Sequence, residues 1–167
     1  MKTNLFTSLE DQDPNRIALV SREEGVTLTF GELQDASLSI SMQLFELGFA
    51  KGSPITVLIG RTIWDVVLLF GVMRSHALAP VNPGVTSSEL EEKLLKSNSK
   101  VIIHVGASDV ARRVGNAVTK AEPTMVLRAH SSVGEEGLKS VYLRLDMQNE
   151  GGNIPNGSRS LRSHKLS

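Results

Sequence analysis

Residues 55–90 read ITVLIGRTIWDVVLLFGVMRSHALAPVNPGVTSSEL, and this stretch decides the fold. Residues 55–59 are nearly all apolar, as expected of a strand that is buried on both faces. Thr62 and Asp65 have the spacing of a capping box, and the apolar residues that follow recur in a helical pattern. The next apolar run covers residues 77–81. The stretch therefore predicts a strand, a helix and a second strand in succession.

The same alternation continues upstream of this stretch. Residues 17–20 and 26–30 are short β-like runs on either side of a charged turn, which predicts a hairpin or two neighbouring strands. A helical pattern then runs from Leu33 to Leu47. Thr29 and Glu32 have the spacing of a capping box at its start, and Gly48 stands where a C-terminal cap is expected. A hairpin and a long helix should therefore precede the first buried strand.

Downstream, the alternation continues for about fifty residues. Thr86 and Glu89 form another capping box, which predicts a third helix after the turn at Pro83. Residues 101–105 are a further apolar run, residues 108–121 have a helical pattern, and residues 124–127 predict one more strand.

Nearly continuous apolar strands that alternate with helices predict an α/β fold, with a largely parallel sheet and helices on both faces. We expect residues 1–128 to form this single α/β part. Beyond it the periodicity fades, and Arg159, Arg162 and Lys165 are opposed by no nearby acid. We expect residues 129–167 to be an irregular, disordered tail.

Composition excludes several classes of protein. The 167 residues carry 18 basic and 18 acidic side chains, so the chain has no net positive charge that would attract nucleic acid. The absence of cysteine excludes a disulfide framework and a thiolate nucleophile. The most apolar run, residues 63–73, is about half the length of a membrane span, and residues 1–10 lack the features of a secretory signal. We expect a soluble, cytoplasmic protein without a membrane span; residues 164–167, HKLS, do not form a terminal targeting tripeptide.

No established catalytic or nucleotide-binding motif occurs in the chain. It contains no P-loop, no dinucleotide fingerprint, no HExxH zinc motif and no serine elbow. The turn at residues 80–84 follows a strand of the predicted sheet, but strand-to-helix geometry explains its prolines and glycine.

Other residues that could carry chemistry have simpler structural explanations. Arg74 and His76 favour a helix C-terminus, and Trp64 favours a core position. Adjacent glutamates do not face each other on a helix, and His104 ends a predicted strand. The candidates of this kind are Arg74, His76, Trp64, His104, Glu23 with Glu24, Glu91 with Glu92, and a glycine-rich stretch at Gly151, Gly152 and Gly157.

Several stretches in a fixed order resemble AMP-forming acyl-CoA synthetases, with the greatest similarity to the 4-coumarate and oxalate CoA ligases. The likeness covers roughly residues 14–127. It is carried by LTFGEL at 28–33, LGFAKG at 47–52, WDVVLLFGV at 64–72, APVNP at 79–83 and SNSK at 97–100. The run at residues 74–80 departs from the family in being about one residue shorter, which predicts a shortened strand or a shifted turn.

The resemblance implies an enzyme that activates a carboxylic acid with ATP and magnesium and then transfers the acyl group to CoA. That family's phosphate-binding loop has no counterpart in this sequence, and its other ATP-contacting residues would lie later still. We therefore assign no catalytic, cofactor-binding or metal-ligating residue and expect no cofactor for this chain alone. The carboxylic acid, ATP, magnesium and CoA would belong to the complete enzyme.

Three interpretations are open at this stage. The first is an incomplete N-terminal part of an acyl-CoA ligase that is inactive by itself. The second is a non-catalytic module that associates with a full-length ligase or another partner through uncovered helix faces. The third is a small flavodoxin-like domain that binds a mononucleotide or flavin at its strand ends.

Overall fold

The computed structural model describes residues 5–105, 110, 114, 125–133 and 139–145. Helices and strands alternate along most of this part of the chain, as predicted. The elements are α1 (Leu5–Glu10), β1 (Ile17–Ser21), β2 (Val26–Thr29), α2 (Phe30–Glu46), β3 (Pro54–Leu58), α3 (Ile63–Met73), β4 (Ala77–Val81), α4 (Ser87–Ser97), β5 (Val101–His104), β6 (Met125–Val133) and β7 (Lys139–Leu145).

The main sheet has five strands in the order β4-β3-β5-β6-β7. The first four are parallel, and β7 is antiparallel to β6. β1 and β2 form a separate antiparallel hairpin, as one of the sequence interpretations predicts. All five residues of β4 pair with β3, so the short run at residues 74–80 leaves this pairing complete. No described helix is long and apolar enough to cross a membrane.

Side chains of the parallel strands alternate between two hydrophobic cores, one on each face of the sheet. Ile55 and Val57 belong to the core that α2 and α3 cover. Leu58 and Ile102 belong to a smaller core that includes Leu90 of α4. The prediction of helices on both faces of a largely parallel sheet is therefore confirmed.

All three predicted capping boxes are present. Thr29 with Glu32, Thr62 with Asp65, and Thr86 with Glu89 begin α2, α3 and α4. In each box the threonine hydroxyl accepts the backbone N–H three residues later, and the acidic side chain binds the backbone N–H of the threonine. Local residue spacing alone was therefore sufficient to predict where these helices begin.

Regular structure continues past the point where the sequence predicts an irregular tail. β6 runs to Val133, and β7 follows at Lys139–Leu145, so the predicted boundary at residue 128 falls inside β6. The polar residues at positions 130–132 interrupt the apolar run, yet an antiparallel strand pair near the sheet edge tolerates them. Residues 146–167 lie outside the described part, and the disordered tail expected there stays a prediction.

The predicted helix at residues 108–121 also lies largely outside the described residues. Val110 and Val114 are described, and both are helical. Both pack in the smaller core, Val114 as a buried member and Val110 at its edge. The spacing of four residues places them on one side of a helix.

α2 and α3 are in close contact at Gly71. A Cβ atom added there would lie 2.5 Å from Ile40 Cβ and 3.1 Å from the Ser37 carbonyl oxygen. The hydroxyl groups of Ser41 and Ser75 form a hydrogen bond of 3.0 Å nearby. The absence of a side chain at Gly71 therefore sets the distance between the two helices.

Gly71→Ala should destabilise the protein by about 1–3 kcal/mol, because the added methyl group has no space and the helices must separate. Urea unfolding followed by circular dichroism measures the change. Gly25→Asn is a suitable control, since Gly25 has a φ of +64° that asparagine tolerates and a Cβ there has nothing within 4 Å. Equal unfolding midpoints for the two variants would contradict the close-contact explanation.

The capping box of α4 predicts a pH effect. Hydrogen bonds from the backbone N–H and the hydroxyl of Thr86 hold the pKa of Glu89 below its ordinary value of 4.5. A lowered folded-state pKa contributes stability above the unfolded-state pKa, and this contribution is lost as the pH falls through the folded-state pKa. Glu89→Gln should therefore lower the melting temperature near pH 7, and the difference from wild type should shrink below pH 4.5. A difference that does not vary with pH would exclude the charge as its cause.

Candidate functional site

A cavity of about 260 Å³ opens at the carboxyl ends of the parallel strands. β3 and β5 end at its walls, and the connections that follow β3, β4 and β5 complete it. The described residues in its walls are Leu58, Gly60, Arg61, Thr62, Asp65, Pro83, His104, Val105 and Val110.

The topology explains why a crevice forms here. From β3 the chain passes through α3 to β4 on one side of β3, whereas from β5 it continues to β6 on the other side. The two connections diverge to opposite faces of the sheet, because α3 and Val110 belong to different cores. Ligands of open α/β sheets commonly bind at such a switch point. The cavity is therefore the candidate functional site of the described part.

Asp65 organises the loop that forms one wall of the cavity. Its carboxylate accepts the N–H of Gly60 at 2.9 Å, the N–H of Thr62 at 2.8 Å and the Thr62 hydroxyl at 2.6 Å. The Asp65 side chain is buried, with 3% of the residue exposed. Three charge-assisted hydrogen bonds hold the carboxylate and fix the loop between β3 and α3.

A second carboxylate binds the start of α3 from a distant part of the chain. Glu24, in the turn between β1 and β2, accepts the N–H of Ile63 at 2.8 Å. The N–H of Asp65 is bound by the Thr62 hydroxyl. Helix N-termini bind phosphate through free N–H groups, but here these N–H groups bind side chains of the same chain. The start of α3 therefore offers few donors to an external anion.

His104 and Arg61 supply the remaining polar chemistry of the cavity. His104 is fully buried at the end of β5, and Arg61 is exposed beside the cavity opening. The other walls are mostly apolar. The volume of about 260 Å³ is slightly below the range of roughly 300–1,000 Å³ typical of ligand pockets. By itself the cavity could hold only a small group.

The hydrogen bonds of the turn after β4 stabilise the turn itself. The Asn82 side chain accepts the Gly84 N–H at 2.8 Å, and the Asn82 carbonyl accepts the Val85 N–H at 3.2 Å. Pro83 contributes an apolar wall of the cavity. These contacts agree with the structural interpretation of residues 80–84.

Arg74 and His76 do not line the cavity. The Arg74 guanidinium binds the Ser37 hydroxyl at 3.3 Å and Glu10 at 3.6 Å, and it lies over the Phe6 ring. His76 is buried, and its Nε2 lies 3.2 Å from the Phe49 carbonyl oxygen. Arg74 therefore links the end of α3 to α1 and α2, and His76 links the start of β4 to the segment that follows α2.

The other candidates also have structural roles where they are described. Trp64 is buried in the core, as expected. Glu92 forms an ion pair with Lys96 on α4, and the hydrogen bond that Lys96 donates lowers the pKa of the Glu92 carboxyl group. The glycine-rich stretch at residues 151–157 lies outside the described residues. Among the described residues, no group of three His, Cys, Asp or Glu is placed to hold a metal ion.

Sequence reasoning missed the meeting of Asp65 and His104 at one cavity. Local spacing places Asp65 in a capping box and His104 at the end of a strand. The available signal was that both follow apolar strands, since the carboxyl ends of parallel strands meet at one edge. Strand order, which the sequence does not contain, was needed to place β3 beside β5.

Asp65→Asn should destabilise the protein by about 1–3 kcal/mol, because the amide group offers one acceptor oxygen and leaves a buried donor unpaired. Chemical denaturation measures the loss. Asp35→Asn is the matched control, since Asp35 is exposed on α2. Equal stability of the two variants would show that the Asp65 hydrogen bonds do not fix the loop.

Solved structures of other proteins share this fold. ATP-bound MatB from Rhodopseudomonas palustris superposes with a TM-score of 0.64 and 20% identity, covering 82% of this chain and 26% of that chain. The N-terminal domain of FACL13 from Mycobacterium tuberculosis gives a TM-score of 0.58 and 23% identity, covering 66% of this chain and 28% of that one. Likeness at these identities supports the α/β fold alone.

Curated relatives include two enzymes named for CoA chemistry. Acetyl-coenzyme A synthetase 1 from Debaryomyces hansenii is 27% identical over 112 residues, which are 64% of this chain and 16% of the relative. 2-Succinylbenzoate–CoA ligase from Oceanobacillus iheyensis is 32% identical over 99 residues, which are 59% of this chain and 20% of the relative. The matches thus span about a fifth of these relatives or less.

The family model described as AMP-binding enzyme matches residues 6–160, which include every helix and strand of the structure except the first residue of α1. The order of stretches that suggested acyl-CoA synthetases lies within this match. This chain therefore belongs to the AMP-binding enzyme family.

Proposed function

We propose that this chain forms the N-terminal α/β scaffold of an adenylate-forming acyl-CoA ligase and does not activate a carboxylic acid by itself. The hydrogen bonding at the start of α3 is the observation that supports inactivity of the chain by itself. There the N–H groups of Gly60, Thr62 and Ile63 bind Asp65 and Glu24. Few donors are therefore free to cradle phosphate, and two carboxylates nearby disfavour a polyanion.

The complete enzyme would perform two steps. The substrate carboxylate attacks the α-phosphate of ATP and releases pyrophosphate, and the CoA thiol then displaces AMP from the acyl-adenylate. Both steps need positive groups that neutralise phosphate charge, supplied by magnesium and by basic residues. We propose ATP, magnesium and CoA as cofactors of the complete enzyme and a small carboxylic acid as its substrate.

The assignment to a subgroup within the family rests on sequence alone. The ordered stretches taken together resemble the 4-coumarate and oxalate CoA ligases, and we propose that the chain belongs to this subgroup. Relatives with CoA synthetase or CoA ligase in their names support a CoA-dependent reaction. We further propose a cytoplasmic location. We also propose no nucleic-acid partner, because the 18 basic and 18 acidic side chains balance.

A non-catalytic interaction module is the second candidate, and one surface favours it. Leu38, Met42 and Phe45 of α2 are 40%, 47% and 44% exposed. Their spacing places them on one side of the helix, and we call them the α2 stripe. A complete ligase of the same family could cover this stripe in a complex.

Calorimetric titration of the purified chain with magnesium ATP tests the first candidate, as does a parallel titration with a non-hydrolysable acyl-adenylate analogue. We expect no binding heat and no release of AMP in the presence of carboxylic acids and CoA. A complete acyl-CoA ligase under the same conditions is the positive control. Tight binding or turnover by this chain would contradict the proposal.

Co-elution with a complete ligase in size-exclusion chromatography tests the second candidate. Complex formation should be lost in Met42→Glu, which places a charge in the α2 stripe. Leu95→Glu on α4 is the control, because Leu95 is 66% exposed and α4 covers the opposite face of the sheet. Equal effects of both substitutions would argue against the α2 stripe as the binding surface.

A further inference from the structure

The α2 stripe is the exposed part of a helix face that α1 covers at its other end. The Gln34 side chain donates to the Leu9 carbonyl at 2.6 Å, which fixes α1 near the start of α2. Toward the end of α2, the Phe45 ring contacts His76 with the ring centroids 5.0 Å apart. Between these two contacts Leu38 and Met42 remain exposed. A short additional segment would continue the cover that α1 begins.

Charge restricts what can cover the stripe. α2 carries Glu32, Asp35 and Glu46, and it contains no lysine or arginine. Asp35 and Glu46 are exposed, and Glu46 follows Met42 by four residues, so acidic groups border the stripe. A second copy of the same helix would bring like charges together. A covering segment should combine apolar residues with positive charge.

The chain itself contains a segment of this composition. Residues 158–167 read SRSLRSHKLS and carry three basic residues and two leucines without any acid. The apolar side chains are Leu161 and Leu166, and the basic ones are Arg159, Arg162 and Lys165. This composition is complementary to the acidic border of the α2 stripe.

The fold delivers the chain close to this surface. The Val141 carbonyl of β7 accepts the Gln43 side chain of α2 at 3.1 Å. β7 runs antiparallel to the other strands, so it ends at the edge of the sheet where those strands begin. Phe45 lies near that same edge, because it contacts His76 directly before β4. Leu145 and the end of the stripe therefore lie at the same edge of the sheet.

The length of the connection is sufficient. Twelve residues, 146–157, link β7 to the basic segment. Twelve residues reach roughly 40 Å when fully extended, which exceeds the length of α2 at about 25 Å. Tethering within one molecule gives an effective concentration on the order of 1 mM, so a contact with a Kd below about 1 mM would be populated.

We propose that residues 158–167 bind the α2 stripe in the same molecule, with their basic side chains beside Asp35 and Glu46. In this arrangement a protein partner of α2 must first displace the segment. The binding is intramolecular, so it does not depend on protein concentration. Because its charge pairs lie at the surface, salt weakens it.

Alkylation of a single thiol tests the proposal, because the chain has no natural cysteine. In full-length Met42→Cys, a neutral alkylating reagent should react slowly at low salt. Adding Arg159→Glu, Arg162→Glu and Lys165→Glu should raise the rate several-fold. Adding Asp35→Lys and Glu46→Lys as well should restore slow reaction, because the charge pairs are then exchanged.

Each protein provides its own reference rate at 1 M salt, where the screening length falls to about 3 Å. This reference cancels rate differences that do not depend on salt, and comparing rates at a pH where each thiol is fully deprotonated removes the effect of nearby charge on the thiol pKa. Leu95→Cys on α4 is the control site, and its rate should not respond to the changes at residues 159–165. Equal rates at Met42→Cys with and without those changes would overturn the proposal. Protection that increases with protein concentration would also overturn it, because a second copy would then cover the stripe.

Discussion

The structure depends on the burial of β3 on both of its faces. Ile55, Thr56 and Val57 are at most 1% exposed, so the backbone N–H and C=O groups of the strand must find partners inside the protein. Neighbouring strands on both sides supply most of these partners. At the start of the strand, where the ladder to β5 begins, the Ser99 hydroxyl accepts the Thr56 N–H at 3.0 Å. A strand in this position requires one helical layer on each face. On one face α2 and α3 form this layer, and they pack closely on each other at Gly71.

The same constraint produces the cavity. β3 lies between β4 and β5, and the connection after β3 leaves toward one face of the sheet whereas the connection after β5 leaves toward the other. The gap between them exposes the end of β3 and the backbone N–H groups of the following loop. Asp65 and Glu24 bind several of these N–H groups, which stabilises the loop and also reduces its capacity to bind an anion. The stability of this loop and its reduced capacity to bind an anion thus have one physical cause.

How much the sequence predicts depends on the distance over which each interaction acts. The capping boxes of Thr29, Thr62 and Thr86 act over three residues, and their spacing was sufficient to predict them. Glu24 binds Ile63 across 39 residues, and no local pattern indicates that contact. The β6–β7 hairpin was missed for a related reason, because residues 130–132 are polar and only pairing with β7 makes them part of a strand. The cavity required strand order, which arises from contacts between distant segments.

The likeness to enzymes that are named for different acids has a physical explanation in this part of the fold. The acetyl-coenzyme A synthetase and the 2-succinylbenzoate–CoA ligase match this chain at 27% and 32% identity. The stretches behind the resemblance include the caps of α2 and α3, the turn after β4 and the face of α3 that packs on α2. Burial and hydrogen bonding dictate these residues whichever acid is bound. Likeness here therefore reports a shared scaffold, and the choice of substrate must depend on residues that contact the substrate itself.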